Sequence, residues 1–188
     1  MKNMTERLAV GGAALLVGLL VGWMVRGVAT YNSASNLSTA YDDWRIACPA
    51  ANIKQAHCEA VTEVTDPSTD QALARVTITA DQNNKPIMGF TMPSGVALEA
   101  GMGVQIGKDP IKVYQYDTCN AAGCIAMTPF DEKFAAALKN SDNTRVMFAT
   151  LDGKPVGAPI SMKGYDAAFR AYKSAEAKRS SWFWRLWS

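Results

Sequence analysis

The sequence predicts an all-β protein: a two-sheet β-sandwich with one or two short helices, preceded by an N-terminal transmembrane helix and followed by a C-terminal amphipathic helix. Three observations carry this prediction. Seven or eight short apolar or alternating segments are separated by turn residues. An uncharged run of 18 residues, Leu8–Val25, precedes them. A segment with apolar residues at helical spacing, ending in a basic aromatic cluster, follows them.

The uncharged run contains only Leu, Ala, Val, Gly, Trp and Met, and Arg7 and Arg26 bracket it. As a helix it reaches roughly 27 Å, close to the thickness of a bilayer core. A signal-peptide core is shorter, about 7–15 residues. Residues 1–28 are therefore expected to be an uncleaved anchor. A small-x-small site at Gly27-Val28-Ala29 keeps a cleaved signal peptide as the alternative. Lys2 and Arg7 precede the run, and Asp42 and Asp43 lie beyond it. The positive-inside rule then places the N-terminus in the cytoplasm and the globular part outside it, on a single-pass membrane protein.

Residues 29–40 are rich in Ser, Asn, Thr and Ala and read as a linker. The sandwich is expected over residues 41–163. Trp44–Ala47, Cys58–Val64, Ala72–Thr79, Pro86–Met92, Val104–Ile106 and Ile111–Tyr116 are its first strands. Asp66-Pro67, Gln82-Asn83-Asn84 and Pro93-Ser94-Gly95 punctuate them as turns. Thr144–Leu151 and Pro155–Met162 flank Asp152-Gly153, a hairpin signal. Phe130–Leu138 is expected to be helical, with Asp131 and Glu132 in its first turn, where the helix dipole favours acids. Tyr165, Ala168, Phe169 and Tyr172 recur at i, i+3, i+4 and i+7, which predicts an amphipathic helix over 164–177.

Charge is unevenly spread over the 188 residues, whose net charge is only +2. Residues 27–169 carry 11 Lys and Arg against 15 Asp and Glu, while residues 170–188 carry five against one. The overall balance argues against a nucleic-acid partner. Residues 164–188 form a basic and aromatic tail ending in Trp182, Phe183, Trp184, Arg185 and Trp187. That composition suits a membrane interface or a protein partner, with packing onto the chain's own domain as the third option. Trp23, at the end of the anchor, belongs to the same interfacial set. Within the anchor, Ala14, Gly18 and Gly22 fall every four residues, a ridge of small residues on which a second helix can pack closely.

Cys48 and Cys58 are ten apart, and Cys119 and Cys124 five apart. Outside the cytoplasm they are expected to form disulfides between sequence neighbours, although four cysteines allow three pairings. A metal site built from thiolates and His57 is the competing option, but the spacing Cys48-x9-Cys58 is wide for zinc. Neither Cys-x-x-Cys nor Cys-x-x-Cys-His occurs.

Nothing in the chain assembles a catalytic site. His57 is the single histidine, and an oxidised Cys58 beside it cannot serve as a nucleophile. No Gly-x-Ser-x-Gly elbow occurs. Ser94 sits in a turn, Asp131-Glu132 opens a helix, and Gly101-x-Gly103 lacks the flanks of a nucleotide loop. The expectation is a non-enzyme with no cofactor, no metal and no small-molecule substrate.

The chain resembles the invasion-associated locus B family of alphaproteobacterial envelope proteins. The likeness is densest in Cys119-Asn120-Ala121-Ala122-Gly123-Cys124-Ile125-Ala126. It continues through Pro129-Phe130, Gly153-Lys154-Pro155-Val156 and Pro159-Ile160-Ser161-Met162-Lys163-Gly164-Tyr165. Upstream, Trp44 before Cys48, then Cys58, Asn84-Lys85-Pro86 and Gly101-Met102-Gly103-Val104-Gln105-Ile106 fit as well. It covers roughly residues 41–172. The resemblance implies an immunoglobulin-like β-sandwich, export across the inner membrane, two disulfides and no known enzymatic activity. The apolar segment and the aromatic tail depart from a plain secreted member.

The leading expectation is a membrane-anchored periplasmic binding protein, an accessory subunit of an inner-membrane complex, respiratory complexes included. Its anchor would pack on a partner helix and its tail would touch lipid. The alternative is a signal-cleaved envelope or virulence-associated factor. A thiol-redox or metal protein ranks third.

Overall fold

The computed structural model describes residues 17–19, 21–22, 38–50, 53, 56–66, 68–141 and 143–181. Two antiparallel sheets stack face to face. The larger has the strand order β1-β2-β3-β4-β5-β9-β8 and the smaller β11-β10-β6-β7. The strands of the larger sheet are β1 (Thr39–Tyr41), β2 (Trp44–Ala47), β3 (Glu59–Thr65), β4 (Ala72–Ala80), β5 (Pro86–Met92), β8 (Thr118–Asn120) and β9 (Gly123–Pro129). Those of the smaller are β6 (Met102–Ile106), β7 (Lys112–Tyr114), β10 (Thr144–Ala149) and β11 (Pro155–Ile160). Helices α1 (Glu132–Lys139) and α2 (Tyr165–Ser180) follow β9 and β11 in the chain.

The period-2 pattern explains the facing. Ala74, Val76 and Ile78 of β4, Met88, Phe90 and Met92 of β5, and Ala126 of β9 turn inward from the large sheet. Met102, Val104, Val146, Phe148, Ala158 and Ile160 meet them from the small one. Each fully buried aliphatic side chain contributes about 1.5–3 kcal/mol by leaving water.

Helix α1 starts where Asp131, at the N-cap, accepts the Phe134 N–H at 2.7 Å. Helix α2 starts at Gly164, whose φ of +82° suits glycine. A Cβ there would stand 1.9 Å from the Tyr41 carbonyl oxygen. The helix buries Tyr165, Ala168 and Tyr172 against the sandwich. Trp44 ties the start of the large sheet to the end of the small one, donating from Nε1 to the Ser161 carbonyl at 2.8 Å. Its ring lies edge-on to Tyr165, with centroids 5.2 Å apart.

Several boundaries differ from the sequence reading. Strand β1 pairs Thr39 with Ile46 and so extends the sheet into the expected linker. Strands β8 and β9 fall outside the segments that the sequence pattern marks as strands. Helix α2 belongs to the sandwich core rather than to a separate tail, because its first two turns carry the apolar stripe. The hairpin expected around Asp152-Gly153 is present, since β10 pairs antiparallel with β11, but its strands end at Ala149 and Ile160, and Thr150 and Lys154 close the loop, with Gly153 at φ +78°.

Of the expected anchor, Val17–Leu19, Val21 and Gly22 are described and helical, and Val17, Leu19 and Val21 are exposed. Ala14, Trp23, Trp182, Phe183, Trp184, Arg185 and Trp187 lie outside the described residues. Among the described residues, no helix is long and apolar enough to cross a membrane.

Candidate interaction surface

The four cysteines form two disulfides between sequence neighbours. Cys48 is bonded to Cys58 and Cys119 to Cys124, leaving no free cysteine. They sit in different surroundings.

The first bridge closes the loop between β2 and β3 beneath α2. Cys58 is fully buried. Its backbone N–H donates to the Glu176 carboxylate, whose other oxygen lies 3.0 Å from His57 Nδ1. One turn on, the Arg179 guanidinium donates to the carbonyls of Pro49, Ile53 and Ala56 at 3.0, 2.8 and 2.9 Å. A loop with few ladder bonds thereby finds partners on a helix. His57, the one imidazole, is engaged in this structural contact.

The second bridge spans the β8–β9 hairpin, joining residues directly opposite each other. The Asn120 side chain accepts the Ala122 N–H at 2.8 Å, a local turn contact. Gly123 has φ +133°, and a Cβ on it would stand 2.1 Å from the Met92 carbonyl oxygen. Asp117 finishes the hairpin: its N–H donates to Ile125 O and its carboxylate accepts the Met127 N–H. The run Cys119 to Cys124 thus works as a unit, with Asn120 for the turn and Gly123 for the close approach.

The small sheet carries an apolar outer face. Gly157 of β11, Met147 of β10, Gly103 of β6 and Val113 of β7 lie in one cross-strand row. The two glycines leave room for Met147, and a Cβ on Gly103 would stand 2.8 Å from the Ile111 side chain. Ile111 and Val113 are half exposed, at 51% and 59%. Arg145 lies beside this row, opposite Gln105 and Pro159. The outer strand β11 carries Pro155 and Pro159, which lack the N–H that an incoming strand would need. The face therefore suits side-chain packing better than strand addition.

The titratable groups hold structural posts. Burial pushes the Tyr165 and Tyr172 hydroxyls well above the ordinary phenol range, with nearby Asp166 and Glu176 acting the same way. Asp81 is held below the usual carboxylate range, first by the Lys85 N–H and also by the Asn83 N–H. Asp152 is lowered by Lys154 and by Thr150. Among the described residues, no group of three or more His, Cys, Asp or Glu is gathered to hold a metal. Among the described residues, the buried hydroxyls of Tyr116, Thr144 and Tyr165 have no hydrogen-bond partner.

Fold and site together define a small antiparallel sandwich, stapled by two short disulfides and braced by a C-terminal helix. A family model described as invasion associated locus B (IalB) protein matches residues 44–173. An invasion protein B homolog of Brucella abortus strain 2308 is 31% identical over 136 residues, covering 72% of this chain and 78% of its own. A second, from Brucella abortus biovar 1 strain 9-941, matches to the same extent. The crystal structure of invasion associated protein B from Bartonella henselae superposes with a TM-score of 0.59 at 18% identity, covering 73% of this chain and 96% of that one. At that identity the likeness speaks for the fold. The chain belongs to the invasion associated locus B family.

Proposed function

We propose that this protein is a disulfide-stabilised factor of the bacterial envelope, of the invasion-associated type, that acts by binding another protein and not by catalysis. The observation that carries this reading is the outer face of the small sheet, where Val113, Met147 and neighbouring Ile111 gather apolar surface. Exposed apolar surface of this kind marks interaction sites. The two disulfides support an oxidising compartment outside the cytoplasm. The names of the Brucella and Bartonella relatives support an envelope or host-contact role. The immunoglobulin-like label goes with the same reading, since two face-to-face antiparallel sheets support it.

A second reading keeps the chain tethered as an accessory subunit of an inner-membrane complex, respiratory complexes included. The run Leu8–Val25 favours it, with Ala14, Gly18 and Gly22 spaced every four residues along it. In that reading the tail of Trp182, Phe183, Trp184, Arg185 and Trp187 rests on lipid or on the partner.

Mass spectrometry of the protein purified from cell envelopes separates the two. A mature N-terminus at Thr30 supports the released factor. A start at or beside Met1 supports the tether.

A further inference from the structure

We propose that the Cys119–Cys124 disulfide is a thiol–disulfide exchange site, opened by a dithiol donor, while the Cys48–Cys58 disulfide is closed to the same chemistry. The inference stands on exposure and topology, apart from the binding role argued above.

Attack on a disulfide requires a thiolate to reach one of the two sulfurs. Cys119 is exposed, as are both its neighbours in β8. Its partner Cys124 is buried beneath it. In the other bridge Cys58 is fully buried and Cys48 half-buried, with the loop between them gripped by Glu176 and Arg179 of α2. Cys119 is therefore the most accessible of the four cysteines, and its Sγ is the sulfur a donor would reach first.

Opening this bridge is a local event. Strand β8 is the last strand of the large sheet and pairs only with β9. Asp117 still holds Ile125 and Met127, and Gly123 still sits against Met92. The two thiols thus remain opposite each other in register, which favours closure when an oxidant returns. Both sulfurs lie on one short hairpin, so neither state requires the sandwich to open.

The exchange balances as follows. A donor thiolate attacks Cys119 Sγ, the S–S bond breaks, and its electron pair leaves on Cys124 as a thiolate that takes up a proton. The mixed disulfide between donor and Cys119 is then attacked by the donor's second thiolate. Cys119 leaves as a thiolate and is protonated. The donor ends as a disulfide and the protein has gained two electrons and two protons. With no Cys-x-x-Cys of its own, the chain is the substrate of this exchange and the donor is the catalyst or reagent.

The test follows each cysteine separately. The full chain is incubated with dithiothreitol under native conditions, quenched with an alkylating reagent at intervals, and analysed by peptide mass spectrometry. Cys119 and Cys124 are expected to label together at least tenfold faster than Cys48 and Cys58, with the folded fluorescence unchanged. In a parallel arm, oxidised and reduced glutathione are expected to leave a mixed disulfide on Cys119. Equal labelling of the two bridges, earlier labelling of Cys48 and Cys58, or no labelling before unfolding would overturn the proposal. So would glutathione captured on Cys124. A Cys119→Ser/Cys124→Ser variant checks that opening is local. It is expected to keep the Cys48–Cys58 bridge and to melt within about 10 °C of the parent. Loss of the fold in that variant would count against the proposal.

Discussion

Cys58 and Glu176 stand 118 residues apart in the chain, and the Cys58 backbone N–H donates to the Glu176 carboxylate. This contact joins the start of β3 to the last turns of α2 and makes the helix part of the sandwich. Cys58 is buried, so its N–H has no ready access to water once Glu176 is removed. Glu176→Ala should therefore cost about 1–3 kcal/mol, the usual penalty for an orphaned buried donor. Arg179→Ala frees three carbonyls of the same loop, and its effect should not add simply to that of Glu176→Ala. Chemical denaturation of the two single variants and the double variant measures both effects.

Gly123 offers a sharper contrast. Its φ is +133° and the Met92 carbonyl occupies the place of a side chain. Gly123→Ala should destabilise by more than about 2 kcal/mol through strain and overlap. Exposed Ala122 lies next to it, and Ala122→Ser should stay within about 0.5 kcal/mol of the parent. Thermal melts of both variants test whether the hairpin depends on that one backbone approach.

Trp44 links the sheets through its hydrogen bond to Ser161 and its contact with Tyr165. Trp44→Phe keeps the ring contact but leaves the Ser161 carbonyl without its donor. The expected loss is about 1–3 kcal/mol. Trp44→Ala adds a cavity and should cost about 3–5 kcal/mol. Denaturant midpoints at constant m-value check the difference between the two.

Asp81 gives a pH-dependent term with a definite sign. The Lys85 and Asn83 amides hold its carboxylate below the ordinary range in the folded state. Its contribution is therefore present above the unfolded value of about 3.9 and is lost as pH falls through the lower folded value. Asp81→Ala should lower the melting temperature at pH 7. The gap to the parent should narrow below about pH 4 and close further down. Melting curves from pH 7 to pH 2 follow it.

Much of the architecture was legible because alternation writes itself into the chain. Ala72–Thr79, the clean period-2 segment, is β4 with one residue added, and the shorter apolar segments Trp44–Ala47 and Pro86–Met92 keep their expected boundaries. Tyr165, Ala168 and Tyr172 are buried as the helical spacing requires. The β8–β9 hairpin was not legible as strands, because Cys119-Asn120-Ala121-Ala122-Gly123-Cys124 has no β-branched alternation. A disulfide, a turn asparagine and one close backbone contact make it instead. Thr39-Ala40-Tyr41 was lost in a polar stretch for the same reason, since its strand character comes from pairing with β2. The grip of Glu176 and Arg179 on the Cys48–Cys58 loop follows no local spacing at all. The row of Met147, Val113 and Ile111 needs the strand register, which the sequence does not spell out.

The proposed function has the outer face of the small sheet presented to another protein. The most direct measurement compares the parent with a Val113→Lys/Met147→Lys variant, both expressed in the native bacterium and extracted gently from the envelope. Native electrophoresis should show the parent in a larger assembly and the variant as the free chain, with equal melting temperatures for the two purified proteins. Parent and variant running alike, either both as free chains or both in the same assembly, would overturn a binding role for this face.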